Sequence, residues 1–257
     1  KLNLVNNVKN ITLSIFVPCL NEEKNITDAL NIIKEAIQNI NYEILVTDDA
    51  SKDKTIEVIE KFKNDNPNLN IRIFRNESCK GYGFNYFASA HKAAGKYYLN
   101  LSGDACESPE TIKKIINNIG KADIIMCYPD FSCRSVFFDA KDKQSFIRRV
   151  ISRLFVNVIN LITFNNMKYY NSSTVHLLEN VKLYRKIAVG FGFQAELITF
   201  LLTLNKTYIQ IPTETIERKS GTSKAVTLNN ILSVCKSIIR IFLNQITYII
   251  KKILKIN

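Results

Sequence analysis

Between residues 11 and 127 the chain repeats one pattern five times. A short apolar, β-branched run ends in a polar turn, and after the first four runs apolar residues recur at helical spacing. The runs are Ile11–Val17, Tyr42–Thr47, Asn70–Phe74, Tyr97–Leu101 and Ala122–Cys127. The intervening helical patterns include Ile26, Leu30, Ile33 and Ile37, then Thr55–Lys63, then a stretch to about Ala94, then one opening at Pro109 and Glu110. Short apolar runs alternating with helices imply βαβ units with right-handed crossovers, and so a mostly parallel sheet flanked by helices. Such Rossmann-like α/β sheets bind ligands outside the carboxyl ends of their strands. The polar residues at those ends are therefore the first candidates for chemistry.

Beyond Tyr128 the pattern changes. Residues 129–143 are polar and irregular, and Phe146–Phe164 reads as an amphipathic helix with Arg148, Arg149 and Arg153 on one flank. Tyr169–His176 and Asn180–Tyr184 read as short strands or turns, and Gly190–Leu204 as a helix carrying Glu196. Tyr208–Ile216 reads as a strand that Pro212 confines to an edge. Arg218–Lys224 is a basic loop, and Leu228–Ile256 is an amphipathic, strongly apolar helix studded with Lys236, Arg240, Lys251, Lys252 and Lys255. At 257 residues the chain is long enough for one α/β domain with a well-buried core, or for a catalytic domain plus an appendage. The division expected is a domain at 1–225, with halves near 11–128 and 129–225, followed by a helix at 226–257.

Composition narrows the partners. A net charge of +12, from 35 basic and 23 acidic residues, favours an anionic partner: nucleic acid, a phosphorylated ligand or a membrane surface. No aromatic RNA-binding run accompanies the basic residues, which argues against nucleic acid. The six cysteines form no Cys-x-x-Cys pair, so reduced thiols in a cytoplasmic setting are expected rather than a zinc or disulfide framework. The longest uncharged apolar-leaning run, Leu154–Met167, is short of the roughly 20 residues a spanning helix requires. His91 and His176 stand isolated and read as structural.

Three strand ends carry the distinctive residues: Asn21-Glu22, Asp48-Asp49 and Ser102-Gly103-Asp104. The first βα turn, Pro18-Cys19-Leu20-Asn21-Glu22-Glu23, lacks the glycines that let a backbone approach a pyrophosphate, which argues against a dinucleotide enzyme. No Walker loop is present. Two readings of the acids stay open, since each could cap the helix that follows or could bind a ligand.

Together these segments resemble the family 2 glycosyltransferases of the GT-A fold. Pro18 to Glu23 is similar to the family's opening strand end. Asp48-Asp49-Ala50-Ser51-Lys52-Asp53-Lys54-Thr55 is similar to its Asp-Asp-Gly-Ser-x-Asp-x-Thr run. Asn76–Gly95, with Lys80-Gly81, Asn85 and Ala88, resembles its third helical region. The metal motif, Asp-x-Asp in many members, is reduced to Ser102-Gly103-Asp104. Phe193-Gln194-Ala195-Glu196, Ile211-Pro212 and Arg218-Lys219-Ser220-Gly221-Thr222-Ser223-Lys224 resemble the polyprenyl-phosphate sugar transferases, the dolichol-phosphate mannosyltransferase type. Where that subgroup often has Asp and Ser-Gly-Phe, this chain has Tyr170-Asn171-Ser172-Ser173.

The resemblance implies an inverting, metal-dependent enzyme that moves a sugar from a UDP- or GDP-sugar to a polyprenyl phosphate. Asp104 would hold Mg²⁺ or Mn²⁺, and Asp49 would accept from the base. Asn21 and Glu22 would lie near the ribose, with Pro18, Lys80, Gly81, Ser102 and Gly103 completing the donor site. Arg218 and Lys224 would hold the acceptor phosphate. If the acceptor were a saccharide hydroxyl, Glu196 would be the base. The implied location is peripheral, on the cytoplasmic face of a membrane. The two amphipathic stretches would lie at its surface, unless they pack on the domain or in a homo-oligomer. A basic, non-catalytic binding module on the same fold is the non-enzymatic alternative.

Overall fold

The computed structural model describes residues 11–129, 143–185, 190–213 and 228–255. Seven strands form one sheet: β1 (Leu13–Cys19), β2 (Tyr42–Asp48), β3 (Ile71–Arg75), β4 (Tyr97–Asn100), β5 (Ile124–Pro129), β6 (Thr174–Leu177) and β7 (Tyr208–Thr213). Their order is β3-β2-β1-β4-β6-β5-β7. All are parallel except β6, which runs antiparallel to both β4 and β5. The helices are α1 (Ile26–Ala36), α2 (Thr55–Asp65), α3 (Tyr82–Lys92), α4 (Pro109–Ile116), α5 (Lys143–Thr163), α6 (Leu178–Leu183), α7 (Phe193–Thr203) and α8 (Leu228–Leu254).

The pleat of the central strands divides the core in two. Leu13, Ile15 and Val17 of β1 point into one cluster with α1, α2 and α4. Phe16 points into the other, with Tyr86, Tyr98, Phe193 and Ile241. Both faces of β1 are buried, which is why its sequence is apolar on both sides apart from Ser14, whose hydroxyl donates to Glu43 Oε1 at 2.6 Å. Each large side chain so buried contributes roughly 1.5–3 kcal/mol.

Among the described residues Pro212 lies on an edge strand, since β7 pairs there with β5 alone. One expectation is corrected. Asn180–Tyr184, expected as strand or turn, lies mostly in α6, whose Leu178 and Val181 are three residues apart and both enter the aromatic cluster, as does Tyr184 just beyond.

The α8 helix is apolar on two opposite faces. Val234, Ile238 and Ile241 pack into the core, while Leu232, Ile239, Leu243, Ile246, Ile250 and Ile253 are exposed. Small residues set its approach to α7. A Cβ on Gly190 would lie 2.7 Å from that of Ser233, and one on Gly192 would lie 2.4 Å from that of Ser237.

Candidate active site

The carboxyl ends of β1, β2 and β4 lie side by side at the sheet centre, with Cys19 paired to Asp48 and Phe16 to Asn100. Each end turns sharply through a non-glycine residue in the left-handed region: Asn21 at φ 58°, Ala50 at 65° and Ala105 at 58°. That conformation costs an L-residue roughly 1–2 kcal/mol, so the surrounding bonds must over-determine it.

They do so at the first two turns. Asn21 N–H donates to Ser51 Oγ at 2.8 Å, and Lys52 N–H donates back to Asn21 Oδ1 at 2.8 Å. Glu22 N–H donates to Thr55 Oγ1 at 2.8 Å, and Glu23 N–H to Asp53 Oδ2 at 3.2 Å. Lys54 N–H returns the bond to Glu23 Oε2 at 3.0 Å. Much of the Asn-Glu-Glu and Ser-x-Asp-x-Thr pattern is therefore a reciprocal clasp between two loops. The Glu22 carboxylate, expected near a ribose, accepts from Asn25 Nδ2 at 2.7 Å.

Asp49 organises the next loop. Its Oδ1 accepts from Asn76 Nδ2 at 2.8 Å and from Lys80 N–H at 2.8 Å. Its Oδ2 accepts from Gly81 N–H at 2.9 Å and from Cys79 Sγ at 3.1 Å. Burial alone would raise this carboxyl, but the bonds from Lys80, Asn85, Asn76 and Cys79 outweigh it and hold it below the usual carboxylate range. Lys80 and Gly81 thus meet the site through their backbone, and Gly81, at φ 92°, supplies a turn for which glycine is suited. Between Ala50–Lys52 and Arg75–Cys79 lies a cleft of about 550 Å³.

The β4 turn is built otherwise. A Cβ on Gly103 would lie 2.5 Å from the Pro18 carbonyl oxygen, so only glycine lets Ser102-Gly103-Asp104 lie against the end of β1. Asp104 is buried there. Glu107, three residues on, accepts from Ser173 Oγ at 2.6 Å and weakly from Ser102 N–H at 3.4 Å. Burial pushes its carboxyl up to about 7, with the Asp104 charge adding to the rise and the Ser173 bond opposing it. Glu107 and Ser173 were not among the sequence candidates. The available signal was a second acid within one turn of Asp104, just before the Ser108-Pro109 start of α4, where Ser108 Oγ accepts from Thr111 N–H.

A hard divalent cation suits this corner. Mg²⁺ and Mn²⁺ take one or two protein carboxylates and complete their shells with phosphate oxygens and water. Asp104, with Glu107 beside it, is such a donor set, although no group of three or more His, Cys, Asp or Glu able to hold a metal occurs among the described residues.

Glu196 stands apart from these turns. It is buried in α7, its Oε2 accepting from Tyr184 OH at 2.7 Å and its Oε1 from Arg240 of α8 at 3.3 Å. Arg218 and Lys224 lie outside the described residues.

The model of glycosyl transferase family 2 matches residues 14–189, a span that includes all three strand ends. The chain belongs to that family. The dolichol-phosphate mannosyltransferase of Pyrococcus furiosus is 28% identical over 141 residues, covering 55% of this chain and 38% of that protein. The dolichyl-phosphate beta-glucosyltransferase of Dictyostelium discoideum is 28% identical over 159 residues, covering 57% and 47%. The chain thus spans less than half the length of either relative. The mannosyltransferase PcManGT of Pyrobaculum calidifontis, solved with GDP-Man and Mn²⁺, superposes with a TM-score of 0.64 at 15% identity, covering 93% of this chain and 65% of that one. The shared architecture is the GT-A fold.

Proposed function

We propose that the protein transfers a sugar, with inversion, from a nucleotide-sugar donor to a polyprenyl phosphate at a membrane surface. The base and ribose of a UDP- or GDP-sugar would occupy the cleft between Ala50–Lys52 and Arg75–Cys79, whose walls Asp49 and the Asn21–Ser51 clasp hold in place. Asp104 would hold Mg²⁺ or Mn²⁺ against the diphosphate. The bound ion supplies charge neutralisation to the leaving nucleoside diphosphate as the sugar C1–O bond breaks. Gly103 keeps the Asp104 turn against Pro18, so the carboxylate is positioned before donor arrives. The transition state has oxocarbenium character, as in other glycosyl transfers.

The observation that carries the choice of acceptor is the state of Glu196. A saccharide hydroxyl needs a base, and the carboxylate expected to serve is buried and engaged by Tyr184 and Arg240. A phosphomonoester, with a second pKa near 6, attacks as an anion and needs none. By the resemblance, Arg218 and Lys224 would hold it, the guanidinium by its fork and the ammonium as a point charge. The likeness to two dolichyl-phosphate enzymes supports the same acceptor.

The membrane surface is supported by the exposed apolar residues of α8 and of α5, including Leu154 and Leu161, and by Phe164 just beyond α5, together with Arg153, Lys236, Lys251 and Lys252. Basic residues near an anionic surface contribute about 1 kcal/mol each. No helix among the described residues is long and apolar enough to cross a membrane. The cytoplasmic face is where this reading places the protein.

The test is an incubation of GDP- and UDP-sugars with polyprenyl phosphate and Mn²⁺. The expected outcome is label passing into the lipid phase. Transfer confined to a soluble saccharide, with none to lipid phosphate, would refute the acceptor.

A further inference from the structure

Beside the donor cleft, between β2, β3 and α3, lies a second cavity of about 250 Å³ that the donor reading leaves unused. It is far larger than the roughly 10–15 Å³ that admits one water. Arg75 and Asn76 line both spaces and form the wall between them. The cavity's other polar lining groups are Thr47, Asn85, Ser89 and Lys92, and no carboxylate lines it.

Two of those groups are buried hydroxyls, and one of them has no partner. Thr47, 5% exposed, has no hydrogen bond to Oγ1. Ser89, 2% exposed, lies with its hydroxyl beside that of Tyr98. Buried polar groups in native proteins are nearly always satisfied by protein, water or ligand, so the orphaned Thr47 hydroxyl in a polar cavity points to an occupant. Cations bound the same space. The Lys92 ammonium sits 4.1 Å from the centre of the Phe74 ring, and Phe74 also lines the cavity. Arg75, 58% exposed in its side chain, is held only loosely, by Asp48 at 3.5 Å and by the Ser51 carbonyl oxygen at 3.3 Å. A guanidinium fork, an ammonium and two hydroxyl donors together match a tetrahedral oxyanion.

We propose that this cavity binds a phosphate group, free or as the end of a small phosphomonoester, between Thr47 and Ser89 on one side and Arg75 and Lys92 on the other. The Arg75–Asn76 wall gives an occupant a route to the donor cleft. Asn76 donates to both Asp49 and Asn85 Oδ1, and Arg75 reaches the Ser51 carbonyl, so ordering Arg75 bears on both loops of the cleft.

The probes are inorganic phosphate and glucose 1-phosphate, titrated calorimetrically into the whole protein at constant ionic strength. Saturable binding of either is expected, weakened about tenfold or more by Thr47→Val or Lys92→Met, because each change removes one bond to a charged ligand. Glucose 1-phosphate binding alone would identify the phosphomonoester as ligand, and phosphate binding alone the free ion. Should Thr47→Val fail to fold, Ser89→Ala serves in its place. Absence of saturable binding by both probes, or binding that none of these substitutions weakens, overturns the proposal.

Discussion

The ends of β2 and β4 both carry acids, and the protein treats them in opposite ways. At β2 it surrounds Asp49 with four donors and lowers its pKa. At β4 it sets Glu107 beside Asp104 and lets burial and charge push Glu107 up to about 7. The first acid accepts four bonds from its own chain and through them holds the 76–81 loop. The second end holds concentrated negative charge, which is favourable only when a cation or proton is present. The two ends thus differ in how an acid is held: Asp49 by four donors that lower its pKa, Glu107 by Ser173 and Ser102 beside a second carboxylate.

The largest effect expected at the saturated end comes from Asp49→Asn. An amide turns its NH₂ toward donors, and unfolding free energy should fall by about 3 kcal/mol, read by denaturant titration. A loss under about 1 kcal/mol would mean the four bonds are not the loop's support. At the other end, Gly103→Ala forces a methyl against the Pro18 carbonyl oxygen. A loss of about 2 kcal/mol is expected, together with weaker donor binding, because the displaced turn carries Asp104. Unchanged donor affinity would separate the turn from the site.

Protonation sharpens the contrast. His176 is fully buried with neither ring nitrogen bonded, and burial pushes its pKa down to about 3 from the ordinary 6.5. Between pH 6.5 and 3 the unfolded chain binds this proton and the folded one does not, so His176 lowers stability as pH falls, by about 1.4 kcal/mol per unit. Glu107 has the reverse sign. Its folded pKa of about 7 exceeds the ordinary 4.5, so between pH 7 and 4.5 it adds stability as pH falls. In metal-free protein the two slopes should largely cancel between pH 4.5 and 6.5. His176→Leu should leave stability rising toward acid, and Glu107→Gln should leave it falling. The same slope in both variants would contradict these assignments.

The smallest effect is at Ala50, which stands at φ 65° where the family's run has glycine. Ala50→Gly should raise stability by about 0.5–1 kcal/mol, the relief of left-handed strain less glycine's added unfolded-state freedom. A loss on thermal denaturation would show that the clasp accommodates the methyl without strain.

The parallel half of the sheet was legible because each strand is a local run followed by its own helix. β6 was not, since its place between β4 and β5 is decided by pairing with residues some fifty to eighty positions away. The strand-end acids were legible as a set, yet their division of labour was not. Ser51, Asp53 and Thr55 find their partners across about thirty residues, and no spacing rule shows that Asn21 and Lys52 bond each other. Glu196 was readable in retrospect. Phe193 to Thr199 is buried on all sides, so a carboxylate within it had to be buried and paired.

The central claim is that Asp104 holds a divalent ion against a donor diphosphate, and calorimetric binding of GDP- and UDP-sugars with and without Mn²⁺ tests it most directly. The account predicts that Mn²⁺ tightens donor binding to the native protein by about tenfold or more, and that Asp104→Asn removes this gain while the protein stays folded. An equal Mn²⁺-dependent gain in Asp104→Asn would contradict it.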